Sequence, residues 1–129
     1  MIALKLARAR GCKVIVSSSS DAKLEDLRNR FHSPPLLTVN YATDTEWEKT
    51  VLELTNGNGV DLTLENGGAS SLVQSMKCTR RGGIVSQVGY LGKQDSALLE
   101  DFIPTLIDRR TQVQYVGRGS HIGVLSSRY

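Results

Sequence analysis

The hydrophobic period changes back and forth along the whole chain, and this alternation limits the possible folds more than any other feature. Short continuous apolar runs recur at Lys13-Val14-Ile15-Val16, Leu36-Leu37-Thr38-Val39, Val60-Asp61-Leu62-Thr63-Leu64 and Ile84-Val85-Ser86-Gln87-Val88. Runs of this length and kind are expected of strands covered on both faces. Between them lie segments whose apolar residues are spaced three and four apart, the period of a helix with one buried side. Strict alternation with short connections predicts an α/β chain: a parallel sheet with helices on both faces.

Local signals place the elements. Ile2, Leu4, Leu6 and the alanines before Gly11 read as the end of an amphipathic helix, with Gly11 as its stop. A strand over residues 13–16 leads into four serines. Ser20 or Asp21 then caps a helix through about Arg30 that buries Leu24, Leu27 and Phe31. Pro34-Pro35 breaks the chain before a strand over residues 36–39. Thr45-Glu46-Trp47-Glu48 has the spacing of a capping box, with Trp47, Val51 and Leu54 on one face of the helix behind it, and Asn56-Gly57-Asn58-Gly59 ends that helix. A helix over residues 70–81 is expected to bury Leu72, Val73 and Met76 and to carry Lys77, Arg80 and Arg81 in its last turn, where cations are favoured. Gly82-Gly83 stops it. A short helix over about 96–107 and a strand over 112–116 complete the order.

With 129 residues, a single domain is expected. Sixteen Lys and Arg against thirteen Asp and Glu leave a formal charge of +3, too small and too scattered for a nucleic-acid binder. No run reaches the length of a membrane span, and Lys5 and Arg8 interrupt the start, so no signal-peptide core is read and a cytoplasmic protein is expected. Cys12 and Cys78 are the only cysteines and lack metal-ligand spacing. They read as small half-buried thiols. His32 and His121 have no partners at ligand spacing, so no metal site is assigned.

In an open parallel sheet, ligands bind beyond the carboxyl ends of the strands. That rule selects Ser17-Ser18-Ser19-Ser20, Asn40-Tyr41, Asn66-Gly67-Gly68, Gly89-Tyr90-Leu91-Gly92 and Gly117-Arg118-Gly119-Ser120. The serine loop is the most informative of these. A dinucleotide-binding sheet usually places Asp or Glu at the end of its second strand to accept from the ribose diol, and a carboxylate there repels a 2′-phosphate. Here the position is Ser17 or Ser18, with a helix N-terminus behind it and Lys23 in the first turn. Hydroxyls, amides and an ammonium suit an anion, so the loop favours NADP over NAD. The same residues also serve as an ordinary helix cap with a solvated lysine, and that reading stands beside the first.

Taken together, Gly11-Cys-Lys-Val-Ile-Val-Ser-Ser-Ser-Ser-Asp-Ala-Lys-Leu, Val39-Asn40-Tyr41, Gly59-Val60-Asp61, Glu65-Asn66-Gly67-Gly68, Arg81-Gly82-Gly83-Ile84 and Val88-Gly89-Tyr90-Leu91-Gly92 resemble the cofactor-binding domain of medium-chain dehydrogenases/reductases. Within that superfamily they are most similar to alcohol-dehydrogenase-like and quinone-reductase-like enzymes. The resemblance implies that Ser17, Ser18, Ser19 and Lys23 meet the adenosine 2′-phosphate of NADP (NADPH) and that Tyr41 packs beside it. It implies that Asn66 and Gly67 let the cofactor lie close over the strand before them. Gly89, Tyr90 and Leu91 would contact the nicotinamide half, and Val116 and Gly117 would approach the carboxamide. Asn66 stands where an apolar residue is the family's habit.

The same comparison sets out what these residues do not contain. No Gly-x-Gly-x-x-Gly run joins a strand to a helix, and the chain opens inside the helix that would follow that turn. The expectation is a partial NAD(P)-binding Rossmann domain over 1–129, lacking the first strand and the glycine-rich turn and without the catalytic GroES-like domain. In the order 3-2-1-4-5-6 the absent strand is central. A slot of about 9–10 Å would separate its neighbours, to be closed by their direct pairing, by a strand from another chain, by residues 121–126, or by a longer natural product.

The function expected is the NADP-binding portion of an oxidoreductase that moves hydride between NADPH and a small carbonyl, alcohol or enone, inactive alone and with no catalytic residue of its own. Two alternatives stand beside it: a non-catalytic dimerising remnant, or a non-redox activity in the exposed crevice. The resembling family pairs sheet edges across a two-fold axis, so a homodimer through residues 112–116 is expected.

Overall fold

A computed structural model describes residues 2–89 and 95–115. The elements run in the expected order, alternating helix and strand, and every strand pairing is parallel. The chain divides at Leu54/Thr55 into two compact units.

The first unit begins with α1 (Ile2–Ala9), which buries Leu4. Its end is the one the glycine predicts. Gly11 sits at φ +74, its N–H donates to the Arg8 carbonyl at 2.9 Å, and the Cys12 N–H reaches back to Ala7 at 3.0 Å. This pair of bonds is the Schellman stop. Strand β1 spans Ile15–Ser18, two residues later than expected, and its apolar residues are half-buried rather than enclosed. It pairs with β2 (Leu37–Asn40), placing Ser17 opposite Val39 and Ser18 opposite Asn40. Between them α2 (Asp21–Arg30) starts at Ser20, whose hydroxyl accepts from the Lys23 N–H. Leu24 is buried, while Leu27 and Phe31 are only partly so, with the Arg8 guanidinium 5.6 Å from the Phe31 ring centre. Helix α3 (Trp47–Leu54) buries Trp47 and Val51 and leaves Leu54 exposed. The Asp44 carboxylate stands before it, accepting from the Glu46 N–H and the Thr50 hydroxyl.

The second unit is a three-stranded sheet of order β3-β4-β5, formed by β3 (Val60–Glu65), β4 (Thr79–Gln87) and β5 (Gln112–Tyr115). Its core joins Leu72, Met76 and Val85 to Leu99, Phe102, Leu106 and Val113. These come from α4 (Leu72–Cys78), the turn at Ser96–Leu99, α5 (Phe102–Arg109) and the sheet. Leu62 and Leu64, on the other side of β3, stay about half exposed.

Two expectations are corrected here. The helix expected over residues 70–81 is preceded by a short 3-10 turn at Gly68–Ser70 and stops at Cys78. Thr79 is already extended and starts β4. Thr79 is β-branched, its hydroxyl bonds the Ser75 carbonyl at 2.7 Å and lies 2.8 Å from the Thr63 hydroxyl, and its backbone pairs with Val60. Arg80 and Arg81 therefore decorate a strand excursion instead of a helix end, paired with Asp61 and Asp108. Pairing jumps from Val60↔Thr79 to Leu62↔Ile84, and Gly82 at φ +72 turns the excursion back. The helix expected over 96–107 is likewise two pieces. Asp95 accepts from the Ala97 N–H to start the 3-10 turn, and α5 begins afresh at Phe102, with Pro104 tolerated in its first turn.

The two thiols are unalike: Cys12 is exposed, whereas Cys78 is buried with its Sγ 3.4 Å from the Ser75 carbonyl oxygen. No helix among the described residues is long and apolar enough to cross a membrane.

β1 and β2 make one sheet, and β3, β4 and β5 make another. Among the described residues β5 stands at one edge of its sheet, as expected.

Candidate functional site

The carboxyl ends of the strands form one candidate surface in each unit. In the first unit the two-residue shift of β1 puts Ser17 and Ser18 inside the strand and leaves Ser19 and Ser20 as the turn into α2. The turn is held from within. Ser18 Oγ accepts from the Ser20 N–H at 3.2 Å, and Ser20 Oγ accepts from the Lys23 N–H at 3.4 Å. The Tyr41 N–H donates to the Ser18 carbonyl at 3.2 Å. The serine loop and the Val39-Asn40-Tyr41 run thus share one end of one sheet. Ser17, Ser19, Lys23 and Tyr41 are all exposed there, and the Lys23 ammonium makes no ion pair with another described residue.

Asn40 is a member of this site that sequence reasoning named only as a loop residue. Its amide nitrogen donates to Asp21 at 2.8 Å while its amide oxygen accepts from the Ala42 N–H at 2.9 Å. It therefore ties the end of β2 to the first turn of α2. It also holds Asp21, the nearest acidic group in sequence to the serines, by a hydrogen bond that partly satisfies its charge.

In the second unit, β3 ends at Glu65 and β4 at Gln87, paired with each other. Glu65 is the group that sequence reasoning passed over. It is 4% exposed, yet its carboxylate accepts from the Gly67 N–H at 2.5 Å, from Ser71 Oγ at 2.6 Å and from Ser75 Oγ. The legible signal was Ser71 and Ser75 at i, i+4, one helix face, behind an acidic residue that ends an apolar run. Gly67 is also constrained from within the fold. A Cβ there would stand 2.1 Å from Ser71 Oγ, so the missing side chain serves internal packing. Gly89 has open room, its nearest neighbour to an added Cβ being Asn66 Oδ1 at 3.6 Å. Asn66 is exposed.

Tyr90, Leu91, Val116 and Gly117 lie outside the described residues, as does His121. The His32 ring nitrogen meets the Asn29 carbonyl at 3.2 Å, the contact of a helix-end residue. Among the described residues no three or more His, Cys, Asp or Glu side chains converge as a metal site would require.

The order of helices and parallel strands finds its counterpart among known proteins. The model of the zinc-binding dehydrogenase family matches residues 1–124. The chain belongs to that family. It is 32% identical over 119 residues to a zinc-type alcohol dehydrogenase-like protein of Schizosaccharomyces pombe, covering 92% of this chain and 34% of that protein. An NADP-dependent isopropanol dehydrogenase of Clostridium beijerinckii is 40% identical over 50 residues, 38% of this chain and 14% of that protein. Among solved structures, an NAD-dependent alcohol dehydrogenase superposes with a TM-score of 0.69 at 27% identity, over 88% of this chain and 31% of that one. The chain thus spans about a third of the length of the Schizosaccharomyces pombe protein and of the solved structure. Its parallel sheets and helices match the Rossmann-like nucleotide-binding domain of the alcohol dehydrogenases, and the family binds a nicotinamide dinucleotide.

Proposed function

We propose that this chain is the NADP-binding portion of an alcohol-dehydrogenase-like oxidoreductase acting on a small carbonyl, alcohol or enone, and that it does not turn over alone. The observation that carries the reading is the serine end of β1. Where a carboxylate would favour the free ribose diol of NAD, this chain has Ser18, followed by a serine-capped helix with an exposed lysine in its first turn and Tyr41 hydrogen-bonded alongside. The donor set fits a phosphate monoester: hydroxyl groups and a cation, with the neighbouring Asp21 carboxylate held by the Asn40 amide.

When bound, the cofactor supplies the hydride chemistry. The residues of this chain bind and orient it. Ser17, Ser18, Ser19 and Lys23 meet the 2′-phosphate, Tyr41 packs beside it, Asn66 and Gly67 let the cofactor lie close over β3, and Gly89 contacts the nicotinamide side. Tyr90, Leu91, Val116 and Gly117 complete that side in the same proposal. The substrate pocket and proton donor belong to the GroES-like domain of such enzymes, which these 129 residues do not include, and the protein works in the cytoplasm.

Lys23→Ala is the first test. Removing one exposed cation from a phosphate contact is expected to weaken NADPH by about five- to tenfold and to leave NADH within about twofold, read by fluorescence titration. Equal losses for the two cofactors would count against the phosphate assignment.

The edge position of β5 supports a homodimer through residues 112–116. Among the described residues β5 ends the order β3-β4-β5, a strand at a sheet margin can add to a second copy through its backbone groups, and Tyr115 on this one is 64% exposed. Sedimentation at micromolar concentration is expected to give a dimer that Val113→Pro converts to monomer. A monomeric native chain, or a dimer that survives the proline, contradicts it.

A further inference from the structure

The second unit holds one buried carboxylate that the proposed function does not use. Glu65 takes three hydrogen bonds, and all three donors (Gly67 N–H, Ser71 Oγ and Ser75 Oγ) lie within ten residues of it. A carboxylate removed from water is costly unless fully paired. Spending one on such near neighbours shapes a local turn and does little to tie distant parts of the fold together.

That turn has a rigid base and an open tip. Glu65, Gly68 and Ala69 are buried, while Asn66 is exposed. Gly68 is held at φ +75. On the other side the Val88 N–H donates to the Glu65 carbonyl at 2.8 Å, which brings Gly89 alongside Asn66. The side chain of Glu65 therefore sets the Asn66-Gly67-Gly68 turn, and its backbone sets the approach of Gly89. Those are the described residues assigned to the cofactor's passage over β3 and to its nicotinamide side.

We propose that Glu65 is a positioning residue: it presets the paired ends of β3 and β4 as the support for the nicotinamide half of the cofactor, without touching the cofactor itself. The inference rests on the cofactor reading above and adds to it a residue with a separable effect. Preorganised contacts cost less to form on binding, so loosening the turn lowers affinity only for ligands long enough to reach it.

The test compares NADPH with adenosine 2′,5′-bisphosphate, which carries the adenosine and its 2′-phosphate but no nicotinamide. Glu65→Gln keeps the shape and removes the charge. It is expected to weaken NADPH by about tenfold and to leave adenosine 2′,5′-bisphosphate unchanged. The Gly67 amide proton is expected to move upfield in NMR spectra as its bond weakens. Ser75→Ala removes a single donor, should produce the same split at about threefold, and carries the test if Glu65→Gln does not fold. A merely structural role would lower both affinities together, in step with the melting temperature. That outcome, or native-like NADPH binding by both variants, overturns the proposal. So does a native chain that holds the bisphosphate as tightly as NADPH, and this result leaves the serine-loop reading intact. A native chain that binds neither ligand fails at the serine loop itself, and the role of Glu65 falls with it.

Discussion

Ser18→Asp is expected to weaken NADPH binding by about 30- to 140-fold while NADH binding holds or improves. The substitution is unusually clean in this fold. Ser18 Oγ accepts from the Ser20 N–H, and a carboxylate in its place accepts the same hydrogen bond, so the turn into α2 survives. What changes is charge. At about 5 Å, two unit charges repel by roughly 3 kcal/mol at an effective dielectric near 20. Exposure and salt screen part of this, and the dianionic phosphate adds to it, leaving roughly 2–3 kcal/mol, which is the quoted loss. NADH has no 2′-phosphate, and its ribose diol gains an acceptor. A variant that loses both cofactors equally has lost its fold or its adenosine site, and circular dichroism separates the two. A variant that binds NADPH as before removes the serine end of β1 from the phosphate site.

Gly59→Ala is expected to destabilise the second unit by about 3–4 kcal/mol, against about 1 kcal/mol for Gly57→Ala. Both glycines have left-handed φ, +84 and +80, so both pay the backbone cost of a side chain in that region. They differ in what surrounds them. An added Cβ at Gly57 meets nothing within 4 Å, whereas at Gly59 it would lie 2.7 Å from the Cys78 carbonyl oxygen and 2.8 Å from the Arg80 nitrogen. Those are backbone atoms at the start of β4, where Thr79 pairs with Val60, and they cannot swing aside as a flexible side chain would. Urea denaturation of the two variants is the measurement. Equal losses would show that the close approach of Gly59 to β4 is not a constraint on the folded chain.

These residues also show which parts of the fold could be read from sequence and why others could not. The Gly11 stop and the Ser20 cap were legible because each depends on one residue's local chemistry. The alternation of apolar runs gave the α/β class and the parallel pairing for the same kind of reason. The end of α4 was not legible. Lys77, Arg80 and Arg81 have the charge of a helix terminus, but the Thr63 and Thr79 hydroxyls, the Arg80–Asp61 pair and the Val60 register draw residues 79–81 into the sheet. Those partners lie up to nineteen residues away, beyond any local signal. The strand shift at β1 has the same origin, because pairing with Leu37–Asn40 sets where Ile15–Ser18 begins.

In the candidate site, the serines and Tyr41 could be chosen from strand ends alone, and the structure brings them to one sheet end. Glu65 was passed over because an acidic residue closing a strand usually faces water, although Ser71 and Ser75 on one helix face marked donors for it. Gly67 was chosen for a ligand's approach, and the structure adds a second constraint, the Ser71 Oγ that a Cβ would meet. Glycine patterns mark where backbone is crowded without saying by what.

The claim on which the account rests is that the carboxyl end of β1 recognises a 2′-phosphate. The ratio of NADH to NADPH dissociation constants for the unaltered chain, measured side by side at one ionic strength, tests it most directly. The account predicts a ratio of about ten or more, shrinking as salt is raised. A ratio near one, or a preference for NADH, would contradict it.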